Sequence, residues 1–194
     1  MKKLLALVPV AATLLLVACQ DAPQTPSYPP LSFTNQAPYQ FNVAQVQVQD
    51  SNAVQPGSVD GNMPITIKQS VQQWATDRLK AVGGAGMLVV NIDDASVREV
   101  KLPKTDGIKG WFTDDQDARY DAVISVTLRL YSASDNTPVA TATATVNRSR
   151  SIHEKATVDE RNQFYYELVR DLMTQFNTEA DTRIRQFFPN YLRY

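Results

Sequence analysis

The sequence predicts an α+β fold, a two-layer sandwich whose mostly antiparallel sheet of about four strands carries two amphipathic helices on one face. Three observations point there. Two stretches place apolar residues at helical spacing, each behind a capping-box pair. Two consecutive stretches alternate with a period of two across a turn, as a hairpin does. The elements run in the order β-α-β-β-β-α without internal repeats, so both helices are left to cover one sheet.

Each element has its own signal. Phe41 to Gln49 pairs Phe41 with Val43 and Val46 with Val48, a strand with a bulge near Ala44. Pro56, Gly57 and Gly61 mark the turn-rich stretch behind it. Thr66 and Gln69 cap the first helix, along which Ile67, Val71, Trp74, Ala75, Leu79 and Val82 form one stripe, and Gly83-Gly84 stop it. Met87 to Leu102 is extended, with Leu88, Val90 and Ile92 on one face and a bulge or bend at Asp93-Asp94. Residues 103–121 read as a loop carrying Trp111 and Phe112. Tyr120, Ala122, Ile124, Val126, Leu128 and Leu130 then line a strand. After a turn at Ser134-Asp135-Asn136, Ala140, Ala142, Ala144 and Val146 line its partner. The other side of that partner carries Thr141, Thr143, Thr145 and Asn147, so one face is buried against a close-packed helix and one is polar. Thr157 and Glu160 cap the second helix. Its stripe runs Phe164, Leu168, Leu172, Phe176, Ala180, Ile184 and on to Phe187 before Pro189. Of the triplet Phe164-Tyr165-Tyr166, only part can face inward.

The chain begins differently. Met1-Lys2-Lys3 is followed by an apolar run from Leu4 to Val17, the charged and apolar regions of a signal peptide. A bilayer span needs about 20 apolar residues, so the run is too short to cross one. It ends in Leu16-Val17-Ala18-Cys19, which resembles the lipobox of bacterial lipoproteins; Cys19 is the only cysteine. The resemblance implies cleavage after residue 18 and lipidation of the Cys19 thiol, giving membrane anchoring through a lipid without a transmembrane helix. An ordinary secretory signal with an incidental cysteine is the competing reading. Gln20 stands where the lipoprotein pattern uses aspartate for inner-membrane retention, which implies the outer membrane with the domain in the periplasm, although Asp21 comes next. Residues 19–40, with Pro23, Pro26, Pro29, Pro30 and Pro38, read as a lipidated cysteine and proline-rich tether reaching on the order of 60 Å. Residues 41–194 form one globular domain.

Composition narrows the chemistry. Loss of residues 1–18 leaves 17 basic and 20 acidic residues, a net of −3, so no basic field exists to bind nucleic acid. With Cys19 lipidated no disulfide can form. His153 is the one histidine, and no G-x-S-x-G elbow presents a serine to it. A zinc site needs several His or Cys ligands. Asp114, Asp115 and Asp117 lack the glycine and terminal glutamate of a calcium loop. Asp93 and Asp94 are neighbours in an extended segment, so their side chains are expected to diverge. Gly83-Gly84-Ala85-Gly86 follows a helix instead of opening one, so it cannot cradle phosphate at a helix N-terminus. The expectation is a protein that is not an enzyme and holds no metal or cofactor. Trp111 and Phe112 either plug the core, the preferred reading, or form a contact site.

Trp74-Ala75-Thr76-Asp77-Arg78-Leu79, Asp93-Asp94-Ala95-Ser96-Val97, Arg119-Tyr120-Asp121 and Tyr166-Glu167-Leu168-Val169-Arg170-Asp171-Leu172-Met173 resemble segments of a group of small, uncharacterised Gram-negative lipoproteins. The resemblance spans most of residues 64–188 and assigns no catalytic or binding residue. In layout the chain is similar to envelope-assembly lipoproteins such as LptE and to auxiliary lipoproteins of transport systems. The resulting expectation is an accessory component that docks onto an envelope protein complex, with Trp111, Phe112, Thr141, Thr143 and Thr145 as candidate partner contacts. The alternative is a carrier holding a lipid or other amphiphile between helices and sheet.

Overall fold

The computed structural model describes residues 26–51, 56–101, 117–134, 137–153 and 155–193. Its elements are β1 (Tyr39–Phe41), β2 (Gln45–Asp50), α1 (Ile67–Arg78), β3 (Leu79–Ala81), β4 (Met87–Lys101), β5 (Asp117–Tyr131), β6 (Pro138–His153), α2 (Val158–Phe187) and β7 (Leu192–Arg193). The fold is α+β, as expected. A four-stranded sheet runs in the order β2-β4-β5-β6, with β2 parallel to β4 and the other pairs antiparallel. A second sheet, β3-β1-β7, was not foreseen; β1 pairs parallel with β3 and antiparallel with β7.

The expected single strand over residues 41–49 is two strands in two sheets. Between them Asn42 N–H donates to the Tyr191 carbonyl (2.8 Å) and Ala44 N–H to the Gly86 carbonyl (3.0 Å). The irregularity expected near Ala44 is therefore a change of sheet. The first helix also ends sooner than its stripe. Leu79 adopts an extended backbone and the chain pairs with β1, Tyr39 opposite Leu79 and Phe41 opposite Ala81. Satisfying the amides of a neighbouring strand overrides helical periodicity here, and Val82, expected on the buried stripe, is 47 % exposed. Gly83 has a different role from a helix stop. A Cβ there would sit 2.5 Å from backbone and side-chain atoms of Asn42, so the crossing of the two segments admits only glycine.

Both capping boxes form. Thr66 Oγ1 accepts from Gln69 N–H and Thr157 Oγ1 from Glu160 N–H, each with the reciprocal bond. The stripe of α2 is buried from Phe164 to Ile184. A step of four turns 40° past a full circle each time on an ideal helix, so the stripe winds around α2 and meets different neighbours in turn. Phe164 and Tyr165 lie against Tyr120 near the start of β5, Phe176 meets the Trp74 ring edge-on at 4.9 Å, and Phe188 meets Phe41 edge-on at 5.7 Å. The step of four continues to Phe188, which is fully buried, whereas Phe187 is 42 % exposed. The alanines of β6 allow the expected close approach: Ala142 and Ala144 are buried beneath α2.

The N-terminal segment is packed within its described part. Phe33 is buried, and its N–H donates to Asp77 Oδ2 (2.8 Å) on α1. Gln36 accepts from Asn177 on α2, and Tyr28 packs against Tyr166 in a tilted arrangement with ring centroids 5.5 Å apart. All three aromatics of the Phe164-Tyr165-Tyr166 triplet thus have partners, the last supplied by a segment read as tether. Arg78, almost wholly buried, donates to the Ala37 carbonyl and lies 3.6 Å from Asp181. Arg78 and Arg185 each lie over the Tyr39 ring, 5.1 and 5.5 Å from its centroid, and the Tyr39 hydroxyl donates a hydrogen bond to Asp181. This clasp ties β1 to both helices. Burial lowers the Arg78 pKa, and the nearby Arg185 charge adds to the shift.

Candidate functional site

The helices cover one face of the four-stranded sheet, so its other face is the broad surface left to the strands. Cross-strand rows define it. Gln47, Val89, Arg129 and Thr141 form one row, and Gln49, Asn91, Thr127 and Thr143 the next. Asp94, Ser125 and Thr145 follow, then Ser96, Val123 and Asn147, then Arg98, Asp121 and Ser149. Alternation along each strand turns these side chains away from the helices, with Val89, Asn91, Ser96 and Thr127 buried among their neighbours on that face. Thr141, Thr143 and Thr145 are exposed on this face, as expected.

A β-bulge shapes its centre. The register of β4 against β5 shifts between Ile92 and Asp94. Inward residues change parity across it, from Leu88, Val90 and Ile92 to Ala95 and Val97, all buried. The extra residue puts Asp93 and Asp94 on the same outer face, which corrects the expectation that their side chains diverge. Asp93 accepts from Thr127 Oγ1 (2.6 Å) and from the Asn91 amide, and Asn91 in turn accepts from Ser51 Oγ (2.7 Å). Thr127 and Thr143 hydroxyls are 3.0 Å apart, as are those of Ser125 and Thr145. One chain of hydrogen bonds therefore crosses from the end of β2 through β4 and β5 to β6. Asp94 accepts from Ser96 (2.7 Å) and lies 3.8 Å from Arg98. Asp121 pairs with Arg119 at 3.0 Å. The Asp121 carboxyl is held below its usual range: burial pushes it up, but hydrogen bonds from Ser149 and Arg119 outweigh that.

Asp93 and Asp94 are held by hydroxyls, an amide and a guanidinium, a set that fixes their side chains. Among the described residues, no three His, Cys, Asp or Glu side chains come together as a metal site would require. His153 closes β6 opposite Asp117, away from this network. At that end of the sheet the buried Tyr120 hydroxyl accepts from Arg161 Nη1 (2.9 Å) and donates to Glu99 Oε2 (3.3 Å). Burial, with a hydrogen bond to Tyr165, raises the Tyr120 phenol well above its ordinary range and keeps it protonated. Asp114 and Asp115 lie outside the described residues, and so do the candidate contacts Trp111 and Phe112 and the lipobox residues Leu16, Val17, Ala18 and Cys19.

The sequence signal for this site was present in two places. The alternating threonines of β6 marked an exposed face directly. The parity change of apolar residues around Asp93-Asp94 marked a bulge, and its consequence, two carboxylates on one face, follows from counting residues through it. The share of Ser51, Asn91 and Thr127 in the network had no local signal, because it depends on which strands are neighbours.

The helix–sheet interface holds Trp74, Tyr120, Phe176, Leu168, Leu172 and Ile124, each less than 2 % exposed. Surface grooves are lined by described residues. One of about 450 Å³ runs between β6 and α2, beside Thr145, Asn147, Thr174 and Thr178. Another of about 250 Å³ lies between the N-terminal segment and α1, beside Tyr28, Leu31, Ile65 and Gln73. Among the described residues, no helix is long and apolar enough to cross a membrane.

No family model matches the sequence, and no curated protein matches it. Among solved structures, the chain is similar to a minor lipoprotein from Acinetobacter baumannii (TM-score 0.40, 9 % identity, 74 % of this chain and 94 % of that one). It is also similar to an uncharacterized lipoprotein B from Nitrosomonas europaea (TM-score 0.39, 14 % identity, 74 % and 86 %). A third is the rare lipoprotein B from Shewanella oneidensis (TM-score 0.36, 10 % identity, 73 % and 98 %). Similarity at this level assigns no role to any residue, and the likeness in layout to LptE stays an expectation of the sequence.

Proposed function

We propose that the protein is a lipid-anchored, non-enzymatic accessory component that docks onto an envelope assembly or transport complex through the outer face of its four-stranded sheet. The observation that carries this reading is the hydrogen-bonded network Ser51–Asn91–Asp93–Thr127–Thr143. It fixes Ser51, Asp93 and Thr143 over the buried Asn91 and Thr127, so these side chains need little further ordering on binding, which lowers the entropic cost of association. The charged and apolar N-terminus and the Leu16-Val17-Ala18-Cys19 motif support lipid anchoring, and Gln20 supports the outer membrane with the domain in the periplasm. The carrier alternative called for a cavity between helices and sheet, and the large side chains filling the described part of that interface count against it.

The test is affinity purification of the tagged protein after crosslinking in cells. Val123→Arg, a substitution in the middle of the outer face and away from the sheet edge, is expected to abolish recovery of the partner complex while the protein stays in the membrane fraction. Cys19→Ala is expected to release the protein from that fraction. Full recovery of the same complex with Val123→Arg would remove the sheet face from the account.

A further inference from the structure

We infer that β6 is the pairing edge of a symmetric homodimer, in which two copies join their four-stranded sheets into one continuous sheet of twice the width. This goes beyond the docking role and rests on a different part of the molecule: the rim of the sheet and not its face.

The two rims differ. The rim opposite β6 is β2, a strand of only six residues that ends in Asp50, and past its end the β4 edge is covered by Ser58, bridged to Arg98, and by Val59, whose N–H donates to the Val97 carbonyl (3.0 Å). β6 ends the sheet on the other side, and among the described residues no strand pairs with its outer edge. Natural sheets blunt such edges with lysine, proline, bulges or short length. The stretch from Val139 to Asn147 carries no charge, no proline and no glycine over nine residues, about 30 Å of strand.

The sequence of that stretch is complementary to itself. With a two-fold axis at Thr143, an antiparallel copy places Thr143 opposite Thr143, Thr141 opposite Thr145, Ala142 opposite Ala144 and Ala140 opposite Val146. Threonines meet on the outer face and small apolar residues on the inner face, both favourable cross-strand pairings. Arg148 falls opposite Pro138 of the partner, so no like charges face each other across the axis. The groove beside β6 accepts the added strand, because the partner's inward residues there are Ala140 and Ala142 and the α2 flank offers Thr174, Gln175 and Thr178. The contact is isologous and closes at two copies.

Native mass spectrometry of the full-length protein released from detergent reads the outcome. The wild type is expected at twice the chain mass. Thr143→Lys and Thr143→Asp each place like charges across the axis and are expected at the single-chain mass, and an equimolar mixture is expected to restore the doubled mass as a heterodimer. A monomeric wild type, or a dimer unchanged by either substitution, overturns the inference. Should a variant fail to fold, hydrogen exchange on the wild type decides: amides of residues 139–147 are expected to become better protected as concentration rises, and protection independent of concentration overturns the pairing.

Discussion

Phe187 and Phe188 are adjacent, chemically identical, and placed in opposite environments. Phe188 is fully buried at the end of the α2 stripe, edge-on to Phe41, while Phe187 is 42 % exposed. Truncating a buried phenylalanine to alanine costs about 3–5 kcal/mol, lost transfer energy and residual cavity together. The edge-to-face pair with Phe41 accounts for about 0.5–1.5 kcal/mol of such a loss. Full burial of a phenylalanine is worth about 1.5–3 kcal/mol, and Phe187 gains just over half of it, so Phe187→Ala is expected to cost about 1 kcal/mol. The gap of about 3 kcal/mol is large beside a total stability of about 5–15 kcal/mol. In urea, at a slope near 2 kcal/mol per molar, Phe188→Ala is expected to lower the midpoint by about 2 M and Phe187→Ala by about 0.5 M, with slopes unchanged. Equal shifts, or a larger shift for Phe187→Ala, would refute both the register of the helix end and its docking on β1.

Other expectations follow from the same geometry. Ala144 is fully buried beneath α2, so Ala144→Leu is expected to cost about 1–3 kcal/mol by overpacking. Thr141→Leu, on the exposed face of the same strand, is expected to stay within about 0.5 kcal/mol in the same urea assay. Glu160 is held below its ordinary value of 4.5, first by the Thr157 backbone N–H and then by the Thr157 hydroxyl. A depressed carboxylate pKa stabilises the fold above that ordinary value, and the contribution is lost as pH falls through the lowered one. The melting-temperature advantage of the wild type over Glu160→Gln is therefore expected to be constant above pH 4.5 and to shrink below it. An advantage independent of pH would show that the carboxylate charge plays no part in the cap.

What the sequence made legible was local. The two capping boxes need only residues three apart, and both formed. The faces of β5 and β6 follow from a period of two, and their apolar sides are buried along Tyr120 to Leu130 and at Ala142 and Ala144. The features that escaped are pairings between distant segments. Tyr39 lies beside Leu79, and Phe41 beside both Ala81 and Leu192. Nothing within a dozen residues of Leu79 signals that a strand waits there, so a helical stripe reads on through a residue that is extended. The packing of Tyr28, Phe33 and Gln36 is hidden for the same reason, because a proline-rich segment looks like a spacer until its partners on α1 and α2 are known. At the candidate site the exposed threonines were readable, while the junction of Asp93 with Thr127 required the order of strands.

The central claim is that the open sheet face is the docking surface, and site-specific photocrosslinking in living cells tests it most directly. A photoreactive residue is placed at Val123, in the middle of that face and away from the β6 rim, and in a second strain at Gln73, on the solvent side of α1. The account predicts a discrete crosslinked envelope protein from position 123 and none from position 73. A specific adduct from position 73 alone would contradict it, placing the contact on the helical layer.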